Sequence, residues 1–91
     1  MHSHENKPNF KKTLKKLYKK DKKTYERVMN KIQEIVNSEN IEHYKNLKYP
    51  LQHLKRIQIG EKVLVFNFDK SKNLIVFENF KHHDKIYLKT P

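Results

Sequence analysis

The chain has 91 residues, 35% hydrophobic and 34% charged, which allows one small domain with a single core. Its five Tyr and five Phe residues argue against disorder, and the absence of cysteine excludes disulfides and thiolate metal sites. No membrane-length apolar run or secretory leader is visible, so we expect a soluble cytoplasmic protein.

The net charge is strongly positive and unevenly distributed. Lysine and arginine number 21 against 10 acidic residues, a formal charge of +11. Residues 1–23 hold nine lysines and two acids, and therefore carry +7 of that total. A field of this sign attracts polyanions, so the predicted partner is either nucleic acid or an acidic protein.

Two amphipathic helices are predicted before residue 40. The first helix begins near Pro8, and its apolar stripe consists of Phe10, Leu14, Leu17 and Tyr18. Asp21 lies at the break that follows and is suited to cap the next helix. The stripe of that second helix consists of Tyr25, Val28, Met29, Ile32, Ile35 and Val36. A connection this short predicts an antiparallel helical hairpin, whose narrow stripes need an apolar cover.

Three strand-like runs follow, over residues 54–59, 62–68 and 74–80. Gly60 is the first residue of the two-residue link Gly60-Glu61, which suits a type II′ hairpin turn. The polar residues 69–73 form a longer turn. The predicted fold is therefore α+β: one domain over residues 1–91, with an N-terminal helical hairpin packed on a C-terminal antiparallel sheet.

Strand parity predicts which face of this sheet is covered by the helices. In the middle strand Leu64, Phe66 and Phe68 form the heavier apolar face. The opposite face is expected to be open to solvent. It would carry Arg56, Asn79, Lys81 and His83.

Several short motifs accompany this order of elements. They are Phe10-Lys11-Lys12 with Leu14 and Leu17, His43-Tyr44-Lys45-Asn46-Leu47-Lys48 with Pro50-Leu51, Leu54-Lys55-Arg56-Ile57, Ile59-Gly60, and His82-His83-Asp84-Lys85-Ile86-Tyr87. The ordered set, over about residues 9–88, resembles the RelE/ParE superfamily of toxins from type II toxin–antitoxin modules. The closing motif is similar to that family's His-Arg-Asp-x-Ile-Tyr pattern, and the likeness is greatest to the RelE-like branch.

The chain departs from the family pattern in three places. Family members usually begin with a β-strand, whereas residues 1–8 show no alternating apolar pattern, so this segment is expected to be flexible or a weak, degenerate first strand. RelE-like nucleases carry an arginine at the start of the middle strand, where this chain has Val63. The arginine of the closing motif corresponds to His83.

The resemblance implies the toxin of a two-component module, a ribosome-dependent mRNA endoribonuclease. In that reaction the 2′-hydroxyl attacks the adjacent phosphate and leaves a 2′,3′-cyclic phosphate and a free 5′-hydroxyl, so the resemblance implies neither a metal nor another cofactor. The implied partners are a cognate acidic antitoxin, mRNA on the ribosome and ribosomal RNA, and no membrane. Two alternatives stay open: a ParE-like inhibitor of DNA gyrase without nuclease activity, and a catalytically decayed RNA-binding protein.

Candidate catalytic residues follow from this chemistry. Arg56 would clamp the scissile phosphate with paired donors, and His83 would serve as acid or base near neutral pH. Tyr87 would stack on a base or transfer a proton. Two further histidines, His53 and His82, are weaker candidates.

Four lysines are expected to attract phosphates as a group: Lys55, Lys62, Lys81 and Lys85. The six histidines do not predict a metal site. His2 and His4 lie in the N-terminal segment, and His82 and His83 alternate on a strand, so they cannot both face one ion.

Overall fold

A computed structural model describes residues 2–82 of the chain. Two helices, α1 (Pro8–Lys20) and α2 (Lys22–Val36), pack on a sheet of β1 (Ser3–Asn6), β2 (Lys55–Ile59), β3 (Lys62–Asp69) and β4 (Leu74–His82). The strand order is β1-β4-β3-β2, with β1 parallel to β4 and the other pairs antiparallel. The predicted α+β fold and meander are therefore confirmed, with a mixed rather than wholly antiparallel sheet.

The helical hairpin is organised around Asp21, as the sequence predicts. The Asp21 side chain accepts a hydrogen bond from the Thr24 backbone N–H (3.2 Å) and another from the Thr24 hydroxyl (2.6 Å). These bonds satisfy a donor that would otherwise be unpaired at the start of α2. They also lower the pKa of Asp21 below its ordinary value, because both favour the carboxylate.

The first strand is present but only four residues long. Ser3 to Asn6 run parallel to Leu74 to Phe77, and Lys7 N–H donates to the Phe77 carbonyl (3.0 Å). His2 joins this edge to the end of α2, since its N–H donates to the Val36 carbonyl (3.0 Å). Residues 3–5 are exposed, so the strand forms through backbone pairing and needs no apolar alternation.

The main core lies between the helices and the predicted apolar face of the sheet. Phe10 of α1, Phe66 of β3 and Phe77 of β4 are fully buried, with ring centroids about 6 Å apart (Phe10–Phe77 6.0 Å, Phe66–Phe77 5.9 Å). Ile32 and Ile35 complete it from α2. Among residues 2–82, neither helix is both long and apolar enough to cross a bilayer.

Two local features set the register of the sheet. Gly60 has φ +65°, while Glu61 is not in the positive-φ region, which agrees with the predicted type II′ turn. On β4, Val65 pairs with Asn79 and the next residue, Phe66, pairs with Phe77. Glu78 is therefore an extra, bulged residue, and the bulge lets Phe77 and Phe80 both join the core while Asn79 and Lys81 share the other face.

Candidate functional site

The sheet face opposite the helices carries polar side chains on the two strands that flank β3. The ladder gives one row of Arg56, Val65 and Asn79 and a second row of Gln58, Val63 and Lys81. We call this surface the Arg56 face. Because neighbouring strands lie about 4.8 Å apart, the α-carbons of Arg56 and Asn79 are separated by roughly 10 Å. The prediction that Arg56, Asn79 and Lys81 share a face is confirmed.

The centre of the Arg56 face is not open, which corrects the sequence-based expectation. Val63 and Val65 are only 3% and 2% exposed, because Leu47, Leu51 and Leu54 pack on them as a second apolar cluster. These leucines come from residues 45–54, the connection leading into β2, which we call the 45–54 segment. Parity alone did not reveal this cover, since the segment lacks strand or helix periodicity.

The same segment fixes the backbone around Arg56. The Arg56 N–H donates to the Lys45 carbonyl and the Leu47 N–H to the Leu54 carbonyl, each at 2.9 Å, and Asn46 bridges to Lys55. Arg56 itself is half-buried. Its guanidinium therefore extends from a strand whose backbone is hydrogen-bonded on both sides.

Lys55 is placed differently from the prediction. It is only 6% exposed and pairs with Phe66 on the helix side of the sheet. Its ammonium donates to the Tyr44 carbonyl (3.1 Å) and to Asn46 Oδ1 (3.2 Å). A charge committed to these acceptors is not presented to a phosphate, so the structure does not support Lys55 as an RNA-attracting cation.

Lys62 and His82 also lie away from Arg56. The two residues pair across β3 and β4, two positions along from the pair Leu64–Phe80. Side chains two positions apart on a strand share a face, and Leu64 is in the main core, so both lie on the helix side of the sheet. The Lys62 ammonium stands 5.7 Å from the centre of the Phe80 ring. The sheet therefore separates both side chains from the Arg56 guanidinium, and only Lys81 of the described lysine candidates shares its face.

Of the remaining candidates, one lies in the turn before β2 and three lie outside the described residues. His53 is exposed in the turn three residues before Arg56. His83, Lys85 and Tyr87 lie outside the described residues, and their roles stay predictions. Between residues 2 and 82, no three His, Asp or Glu side chains are grouped closely enough to hold a metal ion.

One exposed side chain was missed by sequence reasoning. Tyr49 is 84% exposed at the tip of the 45–54 segment, more than Tyr18, the other exposed large hydrophobic residue of the described chain, at 52%. The available signal was its position between Lys48 and Pro50 in a non-periodic stretch, which places an aromatic ring in a loop rather than in a core.

Comparison with known proteins gives a close relative in sequence. The archaeal protein named "Putative toxin RelE4", from Methanocaldococcus jannaschii, is 43% identical over 83 residues, which span 90% of this chain and 86% of the relative. No family model matches the sequence.

Solved structures show the same fold at lower sequence identity. The intact RelBE toxin–antitoxin complex of Escherichia coli aligns with a TM-score of 0.70 at 17% identity, covering 89% of this chain and 95% of that one. The YoeB–YefM complex of Staphylococcus aureus aligns with a TM-score of 0.73 at 20% identity, covering 91% and 98%. At these identities the likeness establishes the architecture of two helices on a four-stranded sheet.

Proposed function

Since this chain belongs to the RelE family of toxins, we propose that it acts as a ribosome-dependent mRNA endoribonuclease, the toxin of a type II toxin–antitoxin module. The observation that carries the proposal is the placement of Arg56. Its guanidinium extends from a RelE-like sheet, on the face turned away from the helices, in the same row as Asn79 and next to that of Lys81. Fixed positive charge on this face suits a reaction in which negative charge accumulates on a phosphate.

Arg56 serves as the phosphate clamp in this proposal. A guanidinium stays charged and offers parallel N–H donors that match two phosphate oxygens. Its strand is held by the hydrogen bond from Arg56 N–H to the Lys45 carbonyl (2.9 Å), so little reorganisation is needed when the phosphorane forms. Lys81 adds a second positive charge from β4.

His83 and Tyr87 are proposed to complete the site. β4 carries Lys81 onto the Arg56 face, and continued alternation would bring His83 to the same side. A base takes the proton of the 2′-hydroxyl, its oxygen attacks phosphorus, the bond to the 5′-oxygen breaks, and an acid protonates that oxygen. An imidazole titrates near neutral pH and suits either transfer, while the Tyr87 ring would hold an unstacked base.

The neutralising partner is proposed to be an acidic antitoxin encoded with this protein. The formal charge of +11 favours an acidic chain, and the E. coli protein of the same fold is found in a toxin–antitoxin complex. A cytoplasmic location follows from the same proposal, because both the antitoxin and translating ribosomes would have to be reached there.

The two arginines of this chain provide a matched test. In a reconstituted translation reaction, with transcript ends mapped by primer extension, Arg56→Ala should lower the cleavage rate by about 10²- to 10³-fold, as for loss of a donor that stabilises transition-state charge. Arg27→Ala removes the same charge from the exposed surface of α2 and should stay within about twofold of wild type.

The alternatives give distinct results in the same experiments. Transcripts left intact by the wild-type protein on translating ribosomes would contradict the proposal. Inhibition of gyrase supercoiling without ribosomes would replace it with the ParE-like activity. Equal losses in the two arginine variants would show that charge alone, rather than the position of Arg56, determines the rate.

A further inference from the structure

The Tyr49 ring is exposed to solvent, and its surroundings differ from those of Tyr18. Tyr18, the other exposed tyrosine among residues 2–82, contacts Tyr25 edge to face (5.2 Å between ring centroids), and its ring centroid lies 4.7 Å from the Lys22 ammonium. Within residues 2–82, the Tyr49 ring makes no such aromatic or cation contact, and the residue is 84% exposed. A single exposed ring is common on protein surfaces, and it becomes a binding surface only where its surroundings suit a ligand.

We propose that Tyr49 is a stacking platform for an unpaired RNA base next to the Arg56 face. The inference rests on the proposed function in taking RNA as the ligand, and it concerns base binding rather than the reacting phosphate. A base stacked on the phenol ring would extend the bound RNA along the 45–54 segment, away from the scissile linkage.

The backbone that carries this ring is ordered by the packing and hydrogen bonds of the 45–54 segment. Leu47, buried at 3%, and Leu51 fix it to β3 on either side of Tyr49. Hydrogen bonds close the loop: Leu51 N–H to the Lys48 carbonyl (2.9 Å), Leu54 N–H to the Leu51 carbonyl (2.9 Å), and Asn46 Nδ2 to the Gln52 carbonyl (2.8 Å). Because the backbone is already ordered, stacking does not need to order it, and less binding energy is lost.

The charges around Tyr49 suit a nucleic acid. The segment contains Lys45, Lys48 and His53 and no acidic residue, and Arg56 follows it directly. Proteins that bind single strands combine cations that follow the backbone with aromatic rings on which bases stack. The segment provides both on one short, continuous piece of chain.

The surroundings of the ring favour RNA over a protein partner. An aromatic anchor at a protein interface normally lies in a patch of apolar neighbours that exclude water. Here the neighbouring Leu47 and Leu51 are turned into the second apolar cluster, and Tyr49 is the one exposed large hydrophobic residue of the 45–54 segment. A single exposed ring face is sufficient for stacking on a base.

The absence of tryptophan from the chain makes a direct test possible. Tyr49→Trp introduces one fluorophore at the proposed platform, and Tyr18→Trp introduces one on the helical side as the matched control. The probe is a single-stranded 2′-O-methyl RNA of about 12 nucleotides, within the range of single-strand site sizes. Emission should be quenched along a saturating curve in the Tyr49→Trp protein and stay unchanged in the Tyr18→Trp protein.

Affinities measured by fluorescence anisotropy give the second test. Tyr49→Ala should weaken binding of this oligonucleotide by about 5- to 150-fold, whereas Tyr49→Phe, which keeps the ring face, and Tyr18→Ala should match wild type. Binding of a fully paired duplex should be unaffected by Tyr49→Ala, because its bases are not available for stacking.

Several results would overturn the inference. Unchanged single-strand affinity in Tyr49→Ala is one, and an equal loss for the duplex is another. Loss of binding to the acidic partner alone would make Tyr49 a protein contact instead. The oligonucleotide lacks the attacking 2′-hydroxyl, so a protein that does not cleave RNA would contradict the proposed function and leave this measurement valid.

Discussion

Removal of the Leu47 side chain should separate the 45–54 segment from the sheet while leaving the main core intact. Leu47→Ala deletes about three methyl or methylene groups from a side chain that is 3% exposed, a transfer loss of roughly 2.4 kcal/mol. The cavity left by the deleted side chain adds to this loss. The second apolar cluster lies under a single surface segment, however, and this segment can partly collapse into the cavity. We therefore expect the free energy of unfolding in urea to fall by about 2–3 kcal/mol, near the low end for Leu→Ala changes.

The functional consequence should exceed what lost stability explains. The segment supplies the Lys45 carbonyl that binds Arg56 N–H and carries Tyr49, so Leu47→Ala should lower both RNA cleavage and single-strand affinity. Leu17→Ala is the matched control, because it is the same change at an 8% exposed residue of the main core on α1. It should cost a similar free energy and leave both activities at wild-type levels, provided that both proteins are folded in the assay.

Similar behaviour of the two leucine variants would contradict this prediction. Equal activities at equal stability would mean that the segment does not position Arg56 or Tyr49. A loss of stability well below 1 kcal/mol for Leu47→Ala would mean that the second apolar cluster contributes little to the fold.

Two further predictions concern Asp21 and Lys55. The pKa of Asp21 is lowered by its bonds to Thr24, so its stabilising effect is present above the unfolded value of 3.8 and is lost as pH falls through the lower folded value. Asp21→Ala should therefore melt below wild type at about pH 7, and the difference should narrow as pH falls through the lower folded pKa, in thermal unfolding followed by circular dichroism; a pH-independent difference would contradict this cause. Lys55→Met should lower stability by about 1–3 kcal/mol, since the Tyr44 carbonyl and Asn46 Oδ1 lose their donor. In the Lys55→Met protein, the slope of log affinity for single-stranded RNA against log salt concentration should stay at the wild-type value. A slope smaller in magnitude by about 0.7 would identify Lys55 as a phosphate contact after all.

The helices and the meander could be predicted because their signals are local. Apolar spacing located α1 and α2, and the short polar side chain at Asp21 located the cap between them. Gly60 located the tight turn, because few other residues adopt its φ of +65° at low cost. These features depend on residues within one turn of helix or one hairpin, so they are readable without knowledge of distant contacts.

The first strand and the bulge are set by tertiary pairing and have weaker signals. β1 is an edge strand whose residues 3–5 are exposed, so nothing selects for apolar alternation along it. The bulge at Glu78 shifts parity midway along β4, and Phe77 and Phe80 can both face the core only because of it. A period-two reading cannot locate such an extra residue in advance.

The sequence predicted one shared face of the site but not its cover. Arg56, Asn79 and Lys81 follow from parity within two strands. Parity also predicts that Lys55 lies on the face of the sheet opposite to that of Arg56. The prediction of a phosphate contact for Lys55 rested on its positive charge alone. Its actual partners, Tyr44 and Asn46, are nine to eleven positions away in a segment without periodicity.

Val63 links the departure from the family pattern to the geometry of the site. RelE-like nucleases resembled by this chain carry an arginine at the start of the middle strand. Here that position is 3% exposed beneath Leu47 and Leu51, where an arginine would have to displace these leucines or bury its charge among them. A valine instead gives the 45–54 segment an apolar surface on which to pack. The apolar residue at position 63 thus lies under a segment that contains two lysines and an exposed tyrosine and that leads directly into Arg56.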